Sequence, residues 1–333
     1  MDCAMSTGSS VGIIANPAAG KDIRRLVAHG RFVSNPEKIN ILRRVLVGLE
    51  ATGVERVIFM PDVGMLGSGA ISNNSLALSV EFLDMPVFND EIDSTRAAGR
   101  MRDMGVGCLI TLGGDGTNRL VAKESLNVPI VPISTGTNNV FPQMIEGTVA
   151  GLAAGVVASR VVNLDKVVTT APKLDVSVDG EFKDIALVDI AVTREQFVGS
   201  RAVWNMGTIH EVFLARTDSD SIGLSSIGGR LPVPFGEGVQ VMLGDGNIVV
   251  NAPVAPGSVS HVPIRDWWPM KPGTQYDVGL KPSTIAFDGE RSFTLRKDES
   301  ATVTLSLDGP KVVSVEKALR MATLAGVFTE GNK

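Results

Sequence analysis

This sequence of 333 residues holds only two cysteines, three histidines and one tyrosine. Cys3 sits in a small, polar N-terminal stretch and Cys108 in an apolar run. A disulfide framework is therefore excluded, and the usage fits a reducing cytoplasm. Cysteine inside an apolar run is ordinarily packing rather than a reactive thiol. His29, His210 and His261 stand far apart without ligand spacing, which argues against a zinc centre; no residue is singled out as a metal ligand. No G-x-S-x-G occurs in a plausible setting, so a Ser-His-Asp hydrolase is not indicated. Apolar runs of about 18 residues are missing, which excludes a membrane-spanning helix. The first ten residues lack the charged and apolar regions of a signal peptide. Basic stripes are missing too: 31 Lys and Arg stand against 36 Asp and Glu, for a net charge of −5. Nucleic acid is therefore not an expected partner, and stable membrane binding is not expected.

Aromatics make up 5% of the chain, so the core must rest on Val, Ile, Leu, Ala and Met. Glycine is plentiful at 36 residues and clusters in short loops beside apolar runs, as an α/β protein with backbone-lined ligand loops requires.

The first half alternates strand-like and helix-like segments. Val11 to Ala15 reads as a buried strand that runs into turn residues Asn16-Pro17-Ala18-Ala19-Gly20-Lys21. Ile39, Leu42, Val45, Leu46 and Leu49 recur near helical spacing. They predict a helix from Pro36 to Thr52, capped by Asn35 and ended by Gly53. Val57 to Met60 reads as a strand, Gly64 to Asn74 as a loop, and Glu91 to Met104 as a helix. Cys108 to Leu112 is a buried strand, Asn118 to Ser125 a helix, Pro129 to Ile133 a strand, and Met144 to Ser159 a helix. Repeated strand–loop–helix units imply a parallel sheet covered by helices on both faces.

Near Val161 the pattern changes to short Val- and Ile-rich runs. Turn signals punctuate them at Asp179-Gly180, Gly244-Asp245-Gly246, Asp288-Gly289 and Asp308-Gly309, and Asp-Gly between apolar runs predicts hairpins. Residues Asn205 to Ala215 read as a helix within this region, and Val315 to Phe328 as a closing helix. The expected organisation is an α/β domain over residues 1–145 and a mostly antiparallel, sandwich-like β domain over 146–333.

The sharpest feature is Leu109-Ile110-Thr111-Leu112-Gly113-Gly114-Asp115-Gly116-Thr117-Asn118-Arg119. A buried strand enters a glycine-rich bend carrying one carboxylate, and a helix follows. Glycines let backbone approach a phosphate, and amides at the helix N-terminus face the anion. Asp115 beside phosphates is expected to bind a divalent cation, orient a hydroxyl or accept a proton. The plainer reading is a tight turn. The strand-loop-helix setting favours the functional one, because ligands of open α/β sheets sit at strand C-termini. No G-x-G-x-x-G occurs, and the only Gly-Lys, Gly20-Lys21, is followed by Asp22. Hydride-transfer and P-loop classes are thereby disfavoured. Lys21 and Arg119 are candidate phosphate contacts, with Arg24 and Arg25 weaker ones. Trp267-Trp268 reads as a packing or interface element.

The strand–GGDGT–helix resembles the signature of the superfamily that joins NAD kinases, diacylglycerol-type lipid kinases and, more distantly, phosphofructokinases. Asn16 to Gly20 resembles its first-strand loop, Ile133 to Asn139 its Gly-Thr-x-Asn element, and Phe287-Asp288-Gly289-Glu290 its Asp-Gly-Glu hairpin. The ATP-NAD kinase-like proteins of the acetoin-catabolism X-protein type are the subgroup it is most similar to. The resemblance implies a cleft between the α/β domain and a β-sandwich, with ATP as phosphoryl donor and Mg²⁺. It implies Asp115 as the catalytic carboxylate near the acceptor hydroxyl. Asn16, Gly20, Lys21, Gly113, Gly114, Gly116, Thr117, Thr137, Asn138 and Asn139 would then line the nucleotide. The sequence departs from NAD kinases in one respect: Asn138-Asn139 has no acidic partner, which leaves NAD open as acceptor. Three readings follow. One is a cytoplasmic, homo-oligomeric kinase of NAD or a related hydroxylated metabolite. The second is a lipid-type kinase, disfavoured by the acidic chain. The third is a nucleotide-binding accessory protein of acetoin catabolism that does not turn over.

Overall fold

The computed structural model describes residues 9–20, 29–31, 33–72, 76–195, 206–234 and 236–329, apart from the side chains of residues 291 and 292. The first sheet begins with β1 (Ser10–Ala15), β2 (Arg56–Phe59), β3 (Ser79–Phe82), β4 (Cys108–Gly113) and β5 (Ile130–Ser134). Their spatial order is β3-β2-β1-β4-β5, all parallel. Every residue of β1, β4 and β5 is buried, as expected of strands covered on both faces. Helices α1 (Asn35–Ala51) and α5 (Gly147–Ala158) cover one face. Helices α3 (Ile92–Asp103) and α4 (Asp115–Ser125) cover the other, through Ala97, Ala98, Met101 and Val121. Between them in sequence lies the short helix α2 (Leu66–Ile71).

Helices α1 and α5 touch backbone to backbone. A Cβ on Gly48 would lie 2.3 Å from the Thr148 carbonyl, and one on Gly151 would lie 2.2 Å from the Val45 carbonyl. Ser34, rather than Asn35, caps α1 by accepting from the Glu37 amide at 3.4 Å, and Asn35 becomes the first helical residue. The expected loop at 64–74 contains α2. Its Gly67 and Gly69 fit against Phe59, Phe82 and Ile39 where any side chain would collide, so packing overrides low helix propensity.

The second half is an antiparallel two-sheet assembly. After β6 (Val168–Thr170) come β7 (Lys173–Val178), β8 (Glu181–Ala186), β9 (Asp189–Thr193), β10 (Ile209–Leu214), β11 (Gly238–Ala255) and β12 (Ser258–Met270). They are followed by β13 (Gln275–Asp277), β14 (Ser283–Phe287), β15 (Glu290–Leu295), β16 (Ala301–Ser306) and β17 (Lys311–Val313). The six-stranded sheet runs β12-β11-β10-β9-β14-β15, and the four-stranded sheet runs β13-β16-β7-β8. Their inner faces share a core of Leu174, Val176, Ile190, Val192, Phe213, Phe287 and Val303. The chain then returns to the first sheet. β17 pairs with β5 and β6, and helix α6 (Val315–Leu324) sets Ala318 and Ala322 into the α/β core.

The Asp179-Gly180 and Asp288-Gly289 hairpins form as expected, each with both residues at positive φ (+50° and +83°, +50° and +79°). Three expectations fail. Residues 209–214 form β10, not a helix. The strand is covered on both faces, so its apolar run carries no period that would separate helix from strand. Asn205 lies outside the described residues. Gly244-Asp245-Gly246 makes no hairpin, because Leu243 and Ile248 both face Ile264 and the four residues between them bulge out of one long strand. Asp308-Gly309 makes no hairpin either. Gly309 lies against the Ala171 carbonyl, where a Cβ would come within 2.3 Å, and the chain crosses to the first sheet.

Since backbone atoms cannot yield at the α1–α5 crossing, Gly151→Ala should lower the unfolding free energy by about 1–3 kcal/mol. Urea denaturation with an unchanged m-value checks this.

Candidate functional site

Strand order reverses between β1 and β4. Chain connections leave β1 toward β2 and β3 on one side, and β4 toward β5 on the other. Their exit loops diverge, and a crevice must open at their C-terminal ends. A cleft of about 540 Å³ lies there. Residues 16–20 form one wall, Gly114 to Thr117 a second, and Gly136 to Asn139 a third. Asp288 and Glu290 of the β14–β15 hairpin reach in from the β domain.

The first two walls are tied together. The Asn16 amide donates to the Leu112 carbonyl at 3.0 Å, and Asn16 Nδ2 donates to Thr117 Oγ1 at 3.0 Å. Gly114 caps α4 with extended backbone and no side chain, and residues 114–117 border the cleft, so the positive end of the α4 dipole lies at that wall. The glycines differ in role. Gly113 lies beneath the helix, where a Cβ would stand 2.6 Å from Thr117, and it is not part of the cleft wall. Gly114 lies against Asn139 Oδ1, where a Cβ would approach to 2.8 Å. Gly116 faces the carboxylate of Glu290, 3.8 Å from where its Cβ would be.

Asp115 borders the cleft but is 8% exposed. Its Oδ1 accepts from the amides of Val140 at 3.1 Å and Phe141 at 2.8 Å, and Oδ2 accepts from Val140 at 3.1 Å. These charge-assisted bonds fix the carboxylate and hold the third wall against α4. In that wall Thr137 Oγ1 accepts from the Arg31 amide at 3.0 Å, and Asn139 Nδ2 donates to Ser134 Oγ at 2.8 Å. Asn138 Oδ1 is buried with no hydrogen-bond partner among the described residues. Lys21, Arg24 and Arg25 lie outside the described residues.

Arg119, a candidate phosphate contact, borders the cleft but is almost fully buried and pairs with Asp184 of β8 at 2.8 Å. Glu91 and Asp288 each lie 3.8 Å from it, and Phe287 lies under its guanidinium. Asp288 accepts from the amides of Leu187, Val188 and Asp189 at 2.8–3.3 Å. Burial nevertheless pushes its carboxyl up to about 8. Arg119 and the Val188 amide oppose this, and Asp189 and Asp115 add to it. Asp62, another wall residue, is also raised by burial while its oxygens accept from the Leu66 amide. Cys108 is fully buried and its thiol is pushed far up. Burial, then Arg194 and Arg265, hold His210 below the usual imidazole range.

Thus Asn16, Gly20, Gly114, Asp115, Gly116, Thr117, Thr137, Asn138 and Asn139 gather on one cleft, Gly113 supports it, and Lys21 is outside the described residues. Sequence reasoning missed Arg31, Asp62 and the buried Lys38 behind the 16–20 loop. A lysine inside an otherwise amphipathic helix gives no signal of what its stem reaches. Among the described residues, no three His, Cys, Asp or Glu side chains are grouped to hold a metal ion. No helix there is long and apolar enough to cross a membrane.

Residues 11–161 match the family model of the ATP-NAD kinase N-terminal domain, and residues 172–308 match the acetoin catabolism protein X C-terminal domain. The acetoin catabolism protein X of Cupriavidus necator is 38% identical over 331 residues, covering 94% of this chain and 92% of that protein. An NAD kinase of Methanosarcina acetivorans is 26% identical over 209 residues, covering 60% of this chain and 70% of that protein. The structure of yeast NADH kinase complexed with NADH superposes with a TM-score of 0.53 at 15% identity. It covers 98% of this chain and 89% of that one, a likeness of fold.

A carboxyl raised in the folded state holds its proton where the unfolded chain has lost it. Stability therefore falls as pH climbs from the unfolded value near 4 toward about 8, by up to ~1.4 kcal/mol per pH unit. Asp288→Asn should remove this decline. Denaturant titrations of both chains at pH 5 and pH 8 check it: the unaltered chain should lose more stability across that interval than the variant.

Proposed function

Because the chain belongs to the acetoin catabolism protein X family and its first half matches the ATP-NAD kinase domain, we propose that it is a nucleotide-dependent small-molecule kinase. ATP is the donor in this reading, and a hydroxyl of NAD or a related metabolite is the acceptor. One observation carries it: the glycine-capped N-terminus of α4 borders the same cleft as the 16–20 loop and a fixed carboxylate. Such an end receives phosphate oxygens through its amides and dipole. The buried, unpartnered Oδ1 of Asn138 offers an acceptor for a donor on the ligand.

Two wall carboxylates are available to the expected metal. Mg²⁺ is usually held by one or two carboxylates together with substrate phosphates, and Asp62 and Glu290 stand in the walls. Bound there, it would neutralise charge that develops on the phosphate oxygens. Gly20, Gly116 and Thr117 bind and orient the phosphates, and Thr137, Asn138 and Asn139 hold the rest of the nucleotide. Asp115 faces the acceptor hydroxyl and takes its proton as the new oxygen–phosphorus bond forms. The old γ-phosphorus bond breaks, with ADP as the leaving group. The names of the relatives support a pyridine nucleotide as acceptor.

A second reading has its own support. The amide bonds from Val140 and Phe141 make Asp115 a brace, which a nucleotide-binding accessory protein of acetoin catabolism would retain without turnover. The rim residues Val63 and Val87 expose apolar surface at the cleft, so vesicle flotation tests the lipid-type acceptor in the same panel. Self-association is proposed through β12, an edge strand that exposes Trp268 while Trp267 packs inward. The cytoplasm is the proposed site of action, supported by the cysteine usage.

With ATP, Mg²⁺ and a panel of pyridine nucleotides, the chain should form ADP and the phosphorylated acceptor. Asp115→Asn should lower kcat by about 10²-fold or more while ATP affinity stays within a few-fold. ATP binding by both chains with turnover by neither establishes the accessory reading instead. In sedimentation velocity, Trp268→Glu should shift the chain toward monomer; an unchanged profile removes β12 as the interface.

A further inference from the structure

Lys38, the fourth residue of α1, is among the largest side chains fully withdrawn from solvent. An ammonium in such a place needs acceptors for its three donors. It finds three in one loop: Nζ donates to the carbonyls of Asn16 at 3.1 Å, Pro17 at 3.0 Å and Ala19 at 2.8 Å. These belong to the wall that follows β1. Lys38 itself does not line the cleft; it stands behind the loop, and its charge also acts on the wall residue Asp62.

Gathering three carbonyls on one side fixes what the other side presents. In a trans peptide the N–H points opposite to the carbonyl. With the Ala19 carbonyl turned back to Lys38, the Gly20 amide is turned toward the cleft, which Gly20 lines with φ +79°. The neighbouring donors are already committed inside the loop. The Ala18 amide donates to Asn16 Oδ1 at 2.8 Å, and the Ala19 amide to the Asn16 carbonyl at 3.3 Å. Without Lys38, the Pro17 and Ala19 carbonyls would be free to turn outward and would present negative dipoles where the phosphates are to sit.

We propose that Lys38 is a positioning residue that shapes the 16–20 loop into an anion-receiving surface for the donor's phosphates. This rests on the kinase reading for the identity of the anion. It acts through the loop, by turning the Gly20 amide forward and by placing a positive charge behind it.

Titration calorimetry of the full chain and of Lys38→Met separates this role from a merely structural one, with ATP, inorganic tripolyphosphate and adenosine as probes. Lys38→Met should weaken ATP and tripolyphosphate alike, by tenfold or more, and leave adenosine unchanged. Equal weakening of all three probes, or of none, overturns the proposal. Should the variant not fold, hydrogen exchange in the unaltered chain decides. Saturating ATP should slow exchange at the Gly20 amide, and an unchanged rate there refutes the role. Absence of ATP binding in the unaltered chain removes the donor reading and this role together, whereas ATP binding that ignores Lys38 removes only the latter.

Discussion

The ion pair between Arg119 and Asp184 sets the shape of the cleft. Arg119 lies one turn into the helix that follows the glycine bend, and Asp184 lies on a strand of the β domain. Their contact is almost dry, and Lys123, one turn further along the helix, joins it by pairing with the same carboxylate. Losing one partner of such a pair costs about 3–5 kcal/mol, because the other charge stays buried. Docking of the two halves also brings Glu290 of the β14–β15 hairpin opposite Gly116, while Asp288 is held within the β domain by the amides of residues 187–189. The two halves of the chain are therefore docked by buried electrostatics directly behind the cleft.

The α/β half was legible because its strands end in residues with few alternatives. Asn16-Pro17 follows the last residue of β1 and Gly114 the last residue of β4, and each marks an exit onto the crevice. Their adjacency was not legible, since it follows from the order β2-β1-β4, which no local pattern encodes. Arg119 shows the limit of reading charge by position. Beside a phosphate-type bend it suggests an anion contact, whereas its actual partner lies 65 residues away on another sheet. Lys38 shows the same limit from the opposite side, since a fully buried ammonium is visible only once three carbonyls are found around it.

In the β half, Asp-Gly predicted turns correctly where both residues adopt positive φ, and failed where sheet geometry set another path. Gly246 passes close to the Ile264 carbonyl where the strand bulges, and Gly309 sits against Ala171 as the chain changes sheets. Glycine there answers to close backbone approach rather than to reversal of direction. The strand β10 was misread for a different reason, because burial on both faces erases the alternation that distinguishes a strand.

The path of the last segment has a consequence for how the molecule is made. Strand β17 and helix α6 complete the sheet and the core begun by the first 160 residues, with Ala318 and Ala322 packed among the side chains of α5. Domains emerging from a ribosome usually fold in order of synthesis. Here the early-synthesised half leaves the ribosome with apolar side chains that stay uncovered until β17 and α6 have emerged as well. Until then a chaperone that shields these side chains would favour native assembly over aggregation.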